Sequence, residues 1–158
     1  MIAALMVYIG VLCISIATGL SLSHLLQWRG KINLDGSEFL EVQQVLFSKH
    51  RKIPLILESI ALTNAILISI AFRHSRAVLF LIPVIPLISF MITLYIFLIR
   101  PIDNTVDTWR PASLPTHWSQ TRDWWHRLQI IRFFLGLAAS CLMIGTFIFG
   151  VHYINKKR

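Results

Sequence analysis

Acidic side chains are scarce in this chain, with seven Asp and Glu in 158 residues, and all of them except Glu58 lie between the long apolar segments. Charged residues of both signs make up 14% of the sequence and hydrophobic residues 56%, whereas a soluble domain carries about a quarter charged. That balance excludes an ordinary soluble domain. Cysteine is equally sparse. Cys13 and Cys141 stand alone in apolar runs, without CxxC spacing or a metal-like cluster, and read as two buried thiols. Histidines occur without HxxxH, HExxH or ExxH spacing, so a metal or haem would need ligands from separate helices. No metal site and no cofactor is expected, and no internal repeat or low-complexity stretch is present.

What the chain has in quantity is long hydrophobic runs. Four cover roughly residues 2–26, 53–72, 77–98 and 130–154, and each reaches the ~20 residues that cross ~30 Å of hydrocarbon. The first lacks a basic leader and is too long for the core of a signal peptide, so it reads as a retained span. Four short-linked spans leave no room for a second domain. The expected fold is all-α, one antiparallel four-helix bundle over residues 1–158 with a short amphipathic helix before the second span. The expected location is a multi-pass protein of the bacterial inner membrane. The net charge of +8 would suggest nucleic acid in a soluble protein. Here the Lys and Arg residues lie in loops and at helix ends, as topology and anionic lipid contact require, so lipid is the expected partner and nucleic acid is not.

The two faces of this bundle are unequal. The loop between spans two and three is little more than RHSR, while the loops near residues 27–52 and 100–129 hold all five tryptophans. The face with both termini carries Arg73, Arg76, Lys156, Lys157 and Arg158, together with His74 and His152. The other, elaborated face carries more cations, and a positive-inside count places it in the cytoplasm. Within it, SEFLEVQQVLFSKH spaces Phe39, Val42, Val45 and Leu46 as an amphipathic helix beginning at a Ser37 cap. Pro54 either opens the second span or kinks a helix that continues through it; in the continuous version Gln44, Arg51 and Glu58 share a face. Pro101, Pro111 and Pro115 predict an irregular segment before the fourth helix, which starts near residues 114–118.

Trp118, Arg122, Trp125, Gln129 and Arg132 recur at i, i+4, i+7, i+11 and i+14, one helical stripe that runs into the last apolar span. A guanidinium at that depth needs a partner, and Glu58, equally deep in the second span, is the best one. The bland reading is a buried ion pair that fixes helix register. His24, at the end of the first span on the same face, adds an imidazole suited to general-base work. His50, His117 and His126 are expected to be exposed at the interface. Of Gln43 and Gln44 one faces inward, and Asn64 satisfies itself between helices. Tryptophans favour the membrane interface in any case, yet a belt belongs on both faces. Their one-sidedness favours an aromatic-lined pocket that includes Trp109.

The segments SHLLQWRGK, VQQVLF and IRPIDNTVDTWRPASLPTHWSQTRDWW resemble the anthrone-oxygenase-like family of small four-helix membrane proteins, most of them without an assigned function. The resemblance spans nearly the whole chain. It implies a site built from His24, Gln43 or Gln44, Asn104, Trp118, Arg122, Trp125 and Arg132. It also implies oxygenation of an anthrone without metal or organic cofactor, by proton removal from an electron-rich carbon acid followed by electron transfer to oxygen. One departure stands out: where the family pattern has histidine four residues after the tryptophan, this chain has Gln129 after Trp125.

Three readings follow. The first is a non-catalytic membrane protein that binds a hydrophobic small molecule, lipid, quinone, partner subunit or second copy through the elaborated face. The second is a cofactor-independent oxygenase with His24, Glu58 and Arg132 as catalytic groups, and the third a small proton-coupled transporter using Glu58, for which no pair of broken helices speaks.

Overall fold

The computed structural model of the chain describes residues 2–47, 50–71, 73 and 78–156, and among these there is helix and no strand. Hydrocarbon surroundings demand this, because each segment has to satisfy its own N–H and C=O groups. Helix α1 (Ile2–Leu26) is followed almost at once by a single turn, α2 (Trp28–Lys31). Helix α3 (Gly36–Val42) passes into a π turn, Gln43–Phe47, and α4 (Lys52–Ala71) follows. Helix α5 (Val78–Leu94), a second π turn (Tyr95–Ile99) and α6 (Arg100–Thr108) form one unbroken rod, and α7 (Trp118–Lys156) is 39 residues long.

Four stretches, Leu5–Lys31, Lys52–Ala71, Val78–Thr108 and Trp118–Ile148, are long and apolar enough to cross a membrane. At most a third of each span's most apolar stretch is buried inside the protein. Ile70, Leu79, Phe97 and Phe134 point outward, and apolar surface on this scale is stable against lipid rather than water. The chain is a multi-pass membrane protein.

Helix α1 packs on α4 and α7, and α5 packs on the same two. Contacts at successive levels order this ring. Gly10 of α1 meets Asn64 and Met143; further along, Thr18 meets Gly136, and Met91 of α5 closes on the same glycine. Then Arg132 reaches Glu58, and finally Trp125 packs on His24. Residue numbers rise along α1 while they fall along α4 and α7, so α1 runs opposite to both. The core is made of small and aliphatic residues, among them Ile14, Ala61, Ala65, Ile88 and Ala139.

Several local expectations are corrected. Asp35, not Ser37, caps α3: its carboxylate accepts from the Glu38 N–H at 2.9 Å, while the Glu38 carboxylate accepts from the Asp35 N–H at 3.2 Å. Those bonds hold the Asp35 carboxyl below the usual range. Ser37 instead donates to Asp35. The buried face of α3 is Phe39 and Leu40, and Val45 is exposed, because the π turn shifts the helical phase after Val42.

Pro101 does not break the chain into a loop. The preceding π turn, with the Arg100 N–H on the Tyr95 carbonyl, carries the helix past the missing donor. Cys141 is exposed on the outer surface rather than buried. Asn64 bonds the Ile60 carbonyl of its own helix. Lys49, His74, Arg76, Lys157 and Arg158 lie outside the described residues, as do the side chains of Leu46, His152 and Lys156.

Candidate functional site

The stripe on α7 faces inward, and from Arg122 to Arg132 each of its members is more than nine-tenths buried. Deepest is Arg132, whose Nη2 donates to Glu58 Oε1 at 2.7 Å; Glu58 is fully buried. The guanidinium carbon lies 5.0 Å from the centre of the Tyr95 ring. Carboxylate and aromatic face together offset a charge that hydrocarbon would otherwise expel.

About two turns nearer the elaborated face, Trp125 Nε1 donates to Asp103 Oδ1 at 2.9 Å. Asp103 Oδ2 faces Arg51 Nε at 4.0 Å, and Arg51 also forks onto both carboxylate oxygens of Asp107, with Nη2 to Oδ1 at 2.7 Å. The Trp125 ring is therefore held at its nitrogen. Its edge and face receive His24, 5.1 Å away in a T-shaped contact, and the Lys31 ammonium, 5.6 Å from the ring centre.

Of these groups His24, Arg51, Tyr95, Asp103, Trp125 and Arg132 line a common cavity of about 200 Å³. Leu20, Pro54 and Ile99 give it apolar wall, Tyr95 and Trp125 aromatic wall, and Ser23, His24, Gln43, Gln129 and Asp103 polar wall. Arg132 closes one side, with His50 and Arg51 on another. His50 is exposed, which puts that part of the lining at the protein surface. Both π turns contribute, one through Gln43 and the other through Tyr95 and Ile99. Interruptions of this kind concentrate at functional sites.

The polar wall is incompletely satisfied. Gln43 Oε1, Gln129 Oε1, Arg51 Nε and Arg132 Nε are buried and have no hydrogen-bond partner among the described residues. Behind the wall Glu58 Oε2 is in the same condition. Buried polar atoms are almost always bonded, so the unpartnered ones on these residues mark a polar shell that is incompletely satisfied behind the cavity surface.

Of the residues singled out from sequence, His24, Gln43, Trp125, Gln129 and Arg132 line the cavity, and Glu58 stands behind Arg132. The others lie elsewhere. Gln44 Nε2 donates to the carbonyls of Val106 and Trp109, each at 3.2 Å, and so finishes α6. Both adjacent glutamines are thus engaged, one in the cavity and one as a helix stop. Trp109 packs edge-on against His117. Asn104 is exposed; its neighbour Asp103 is the buried one.

Trp118 and Arg122 belong to a separate stack. Arg122 lies 5.1 Å from the Trp118 ring centre and 5.6 Å from that of Trp28, and Phe39 packs on Trp118. Arg122 is also tied to the Ile32 carbonyl and to Asp123. His126 is not exposed as expected but stacks on Trp28 with ring centres 3.7 Å apart. This stack clamps α2 and α3 onto α7.

Asp103, Tyr95 and Arg51 are among the cavity residues that sequence reasoning did not assign. A signal existed: Tyr95, Ile99, Asp103 and Val106 fall at i, i+4, i+8 and i+11 and are all buried, a helical period running straight through Pro101. In comparisons with family models, curated proteins and solved structures, nothing matches this chain.

Proposed function

We propose that this membrane protein binds a small, flat, amphipathic molecule, a phenol or quinone head of one or two fused rings, in the cavity between α1, α4, the α5–α6 rod and α7. The observation that carries this reading is the meeting of aromatic wall, Trp125 and Tyr95, with the polar side chains of His24, Gln43, Gln129 and Arg132 around one space. Ligand sites combine mostly apolar lining with a few convergent polar groups in this way. The volume of about 200 Å³ falls below the ~300–1,000 Å³ of sites that take drug-sized ligands. A ring head fits such a space; a whole lipid does not.

A second reading is the oxygenase chemistry that the family resemblance implies, favoured by His24 on the same wall as Arg132. There His24 takes the proton, Arg132 and the glutamines hold the oxyanion, and the electron-rich anion meets oxygen. Gln129 in place of an imidazole argues for binding first and chemistry second.

Titration of the detergent-purified protein with 2-naphthol, followed by tryptophan fluorescence, tests the binding reading. Saturable quenching is expected, and Gln129→Trp, which fills the space, is expected to weaken it by at least about tenfold. Quenching that Gln129→Trp leaves unchanged places the ligand elsewhere. With anthrone in air, an oxygen-dependent absorbance change lost in His24→Ala supports the second reading, and an unaltered rate removes His24 from it.

A further inference from the structure

The cavity is not closed equally on all sides. Every lining residue contributed by α7 and by the α5–α6 rod is buried, whereas Leu20, Ser23 and His24 of α1 and Arg51 and Pro54 at the start of α4 are partly exposed, and His50 is exposed. The opening therefore lies between α1 and α4. Deeper in the bundle these two helices touch, since a Cβ on Gly10 would lie 3.5 Å from Asn64 Cβ. At Ser23 and Pro54 the cavity stands between them.

This opening reaches into the membrane. Leu20 lies about 9 Å inside the end of α1 at Leu26, so the lining runs from His50 at the surface down into the first span. Side chains at i and i+4 share a helix face, which puts Ile16 below Leu20 and Gly19 below Ser23. Ile16 is 52% exposed, and Ile53, next to Pro54, is 40% exposed. A Cβ on Gly19 would meet nothing within 4 Å. The lipid side of the opening is thus apolar and, at Gly19, unobstructed.

We infer that the cavity takes a ring head that carries an apolar tail, and that the tail leaves sideways between α1 and α4, over Gly19, into the hydrocarbon of the membrane. This rests on the reading that a ring head occupies the cavity, and it names the class of molecule that bears the head: one dissolved in the membrane. The polar end of the ring points to the buried wall at Gln129 and Arg132, and the opposite end meets the opening. About 200 Å³ holds the head alone, so a long substituent needs an exit. Lipid solvates such a tail as well as the protein does. The exit therefore acts by being open rather than by attracting the tail.

Two ligands with one head test the inference: 2-naphthol, and 2-naphthol with an octyl chain at carbon 6, the end of the ring away from the hydroxyl. Both are titrated into the detergent-purified wild-type protein, its Gly19→Phe variant and a Leu79→Phe control on the outer surface of α5, where Leu79 is 67% exposed. The ring added by Gly19→Phe enters open space, and a helical side chain leans toward the N terminus, which lays it across the path of the tail. Partition of the octyl chain into micelles is common to the three proteins and cancels in their ratios.

Gly19→Phe is expected to weaken the octyl ligand by at least about tenfold, as crowding of a filled space does, and to leave 2-naphthol unchanged. Leu79→Phe is expected to change neither. An octyl ligand that binds wild type and Gly19→Phe equally, or a variant that weakens both ligands by the same factor, overturns the inference and leaves the binding reading standing. So does a wild-type protein that takes 2-naphthol and refuses its octyl derivative. Failure of 2-naphthol itself overturns both.

Discussion

Arg132 and Glu58 form an ion pair in which neither partner has an alternative. Glu58 is fully buried and Arg132 nearly so, and each offsets the other's charge. Removing one member of such a pair costs about 3–5 kcal/mol, whereas replacing both by apolar residues of similar size is often neutral. Arg132→Met alone is therefore expected to lower stability by about 3–5 kcal/mol, and Glu58→Leu with Arg132→Met to recover most of the loss. Reversible unfolding in mixed micelles reads both values. Equal losses in the single and double variants would show that the pair is more than a mutual neutralisation.

This pair was legible in the sequence because polar residues inside apolar spans are few and their depths match. The α7 stripe was legible through its spacing alone. Asp103 was not, because Pro101 two residues earlier reads as a stop, and the resemblance drew the choice to the neighbouring Asn104. The π turn that carries the helix past Pro101 rotates Asp103 inward and Asn104 outward.

At the scale of the elements, the bundle is held by close approach, since helices in lipid gain nothing from hiding apolar surface that lipid already solvates. Two glycines show how unequal such approaches are. A Cβ on Gly10 would sit 2.5 Å from Met143 Cε, the end of a flexible chain that can swing aside. A Cβ on Gly136 would sit 2.5 Å from Thr18 Oγ1, with Met91 Cε at 3.2 Å. Thr18 cannot move as easily, because it is β-branched and its hydroxyl donates to the Ile14 carbonyl at 2.8 Å.

Gly136→Ala is accordingly expected to cost about 1–3 kcal/mol, and Gly10→Ala clearly less. Unfolding of the two variants side by side checks this, and a reversed order would mean that Thr18 yields where Met143 does not. The positions of the apolar spans were legible in the sequence from the hydrophobic runs, with α1 covering residues 2–26 as read, whereas the extension of the third span through α6 to Thr108 was not. The α3 cap was missed because Asp35 followed three residues later by Glu38 is a reciprocal pair, and Ser37 stood closer to the first apolar residue.

For the whole molecule, asymmetry is the organising fact. One half of the ring is closed by aliphatic and small residues, and the other opens into a cavity lined by two aromatic rings, the imidazoles of His24 and His50, two guanidinium groups and the Asp103 carboxylate. The one-sided tryptophans announced that half from sequence, but only Trp125 is cavity wall; Trp28 and Trp118 form the clamp, Trp109 packs on His117 and Trp124 is exposed. Spacing along one helix does not distinguish a wall from a clamp; the loop packed against it decides, and that loop's π turn carries no sequence signature as plain as a hydrophobic run.

The central claim is that the cavity exists to hold a ring-shaped ligand from the protein's own surroundings. Native mass spectrometry of the protein released directly from the membranes that made it tests this most directly. One small aromatic molecule per chain, absent when Gln129→Trp fills the space, is the predicted result. A wild-type chain that emerges bare, or one whose bound mass survives in Gln129→Trp, contradicts it.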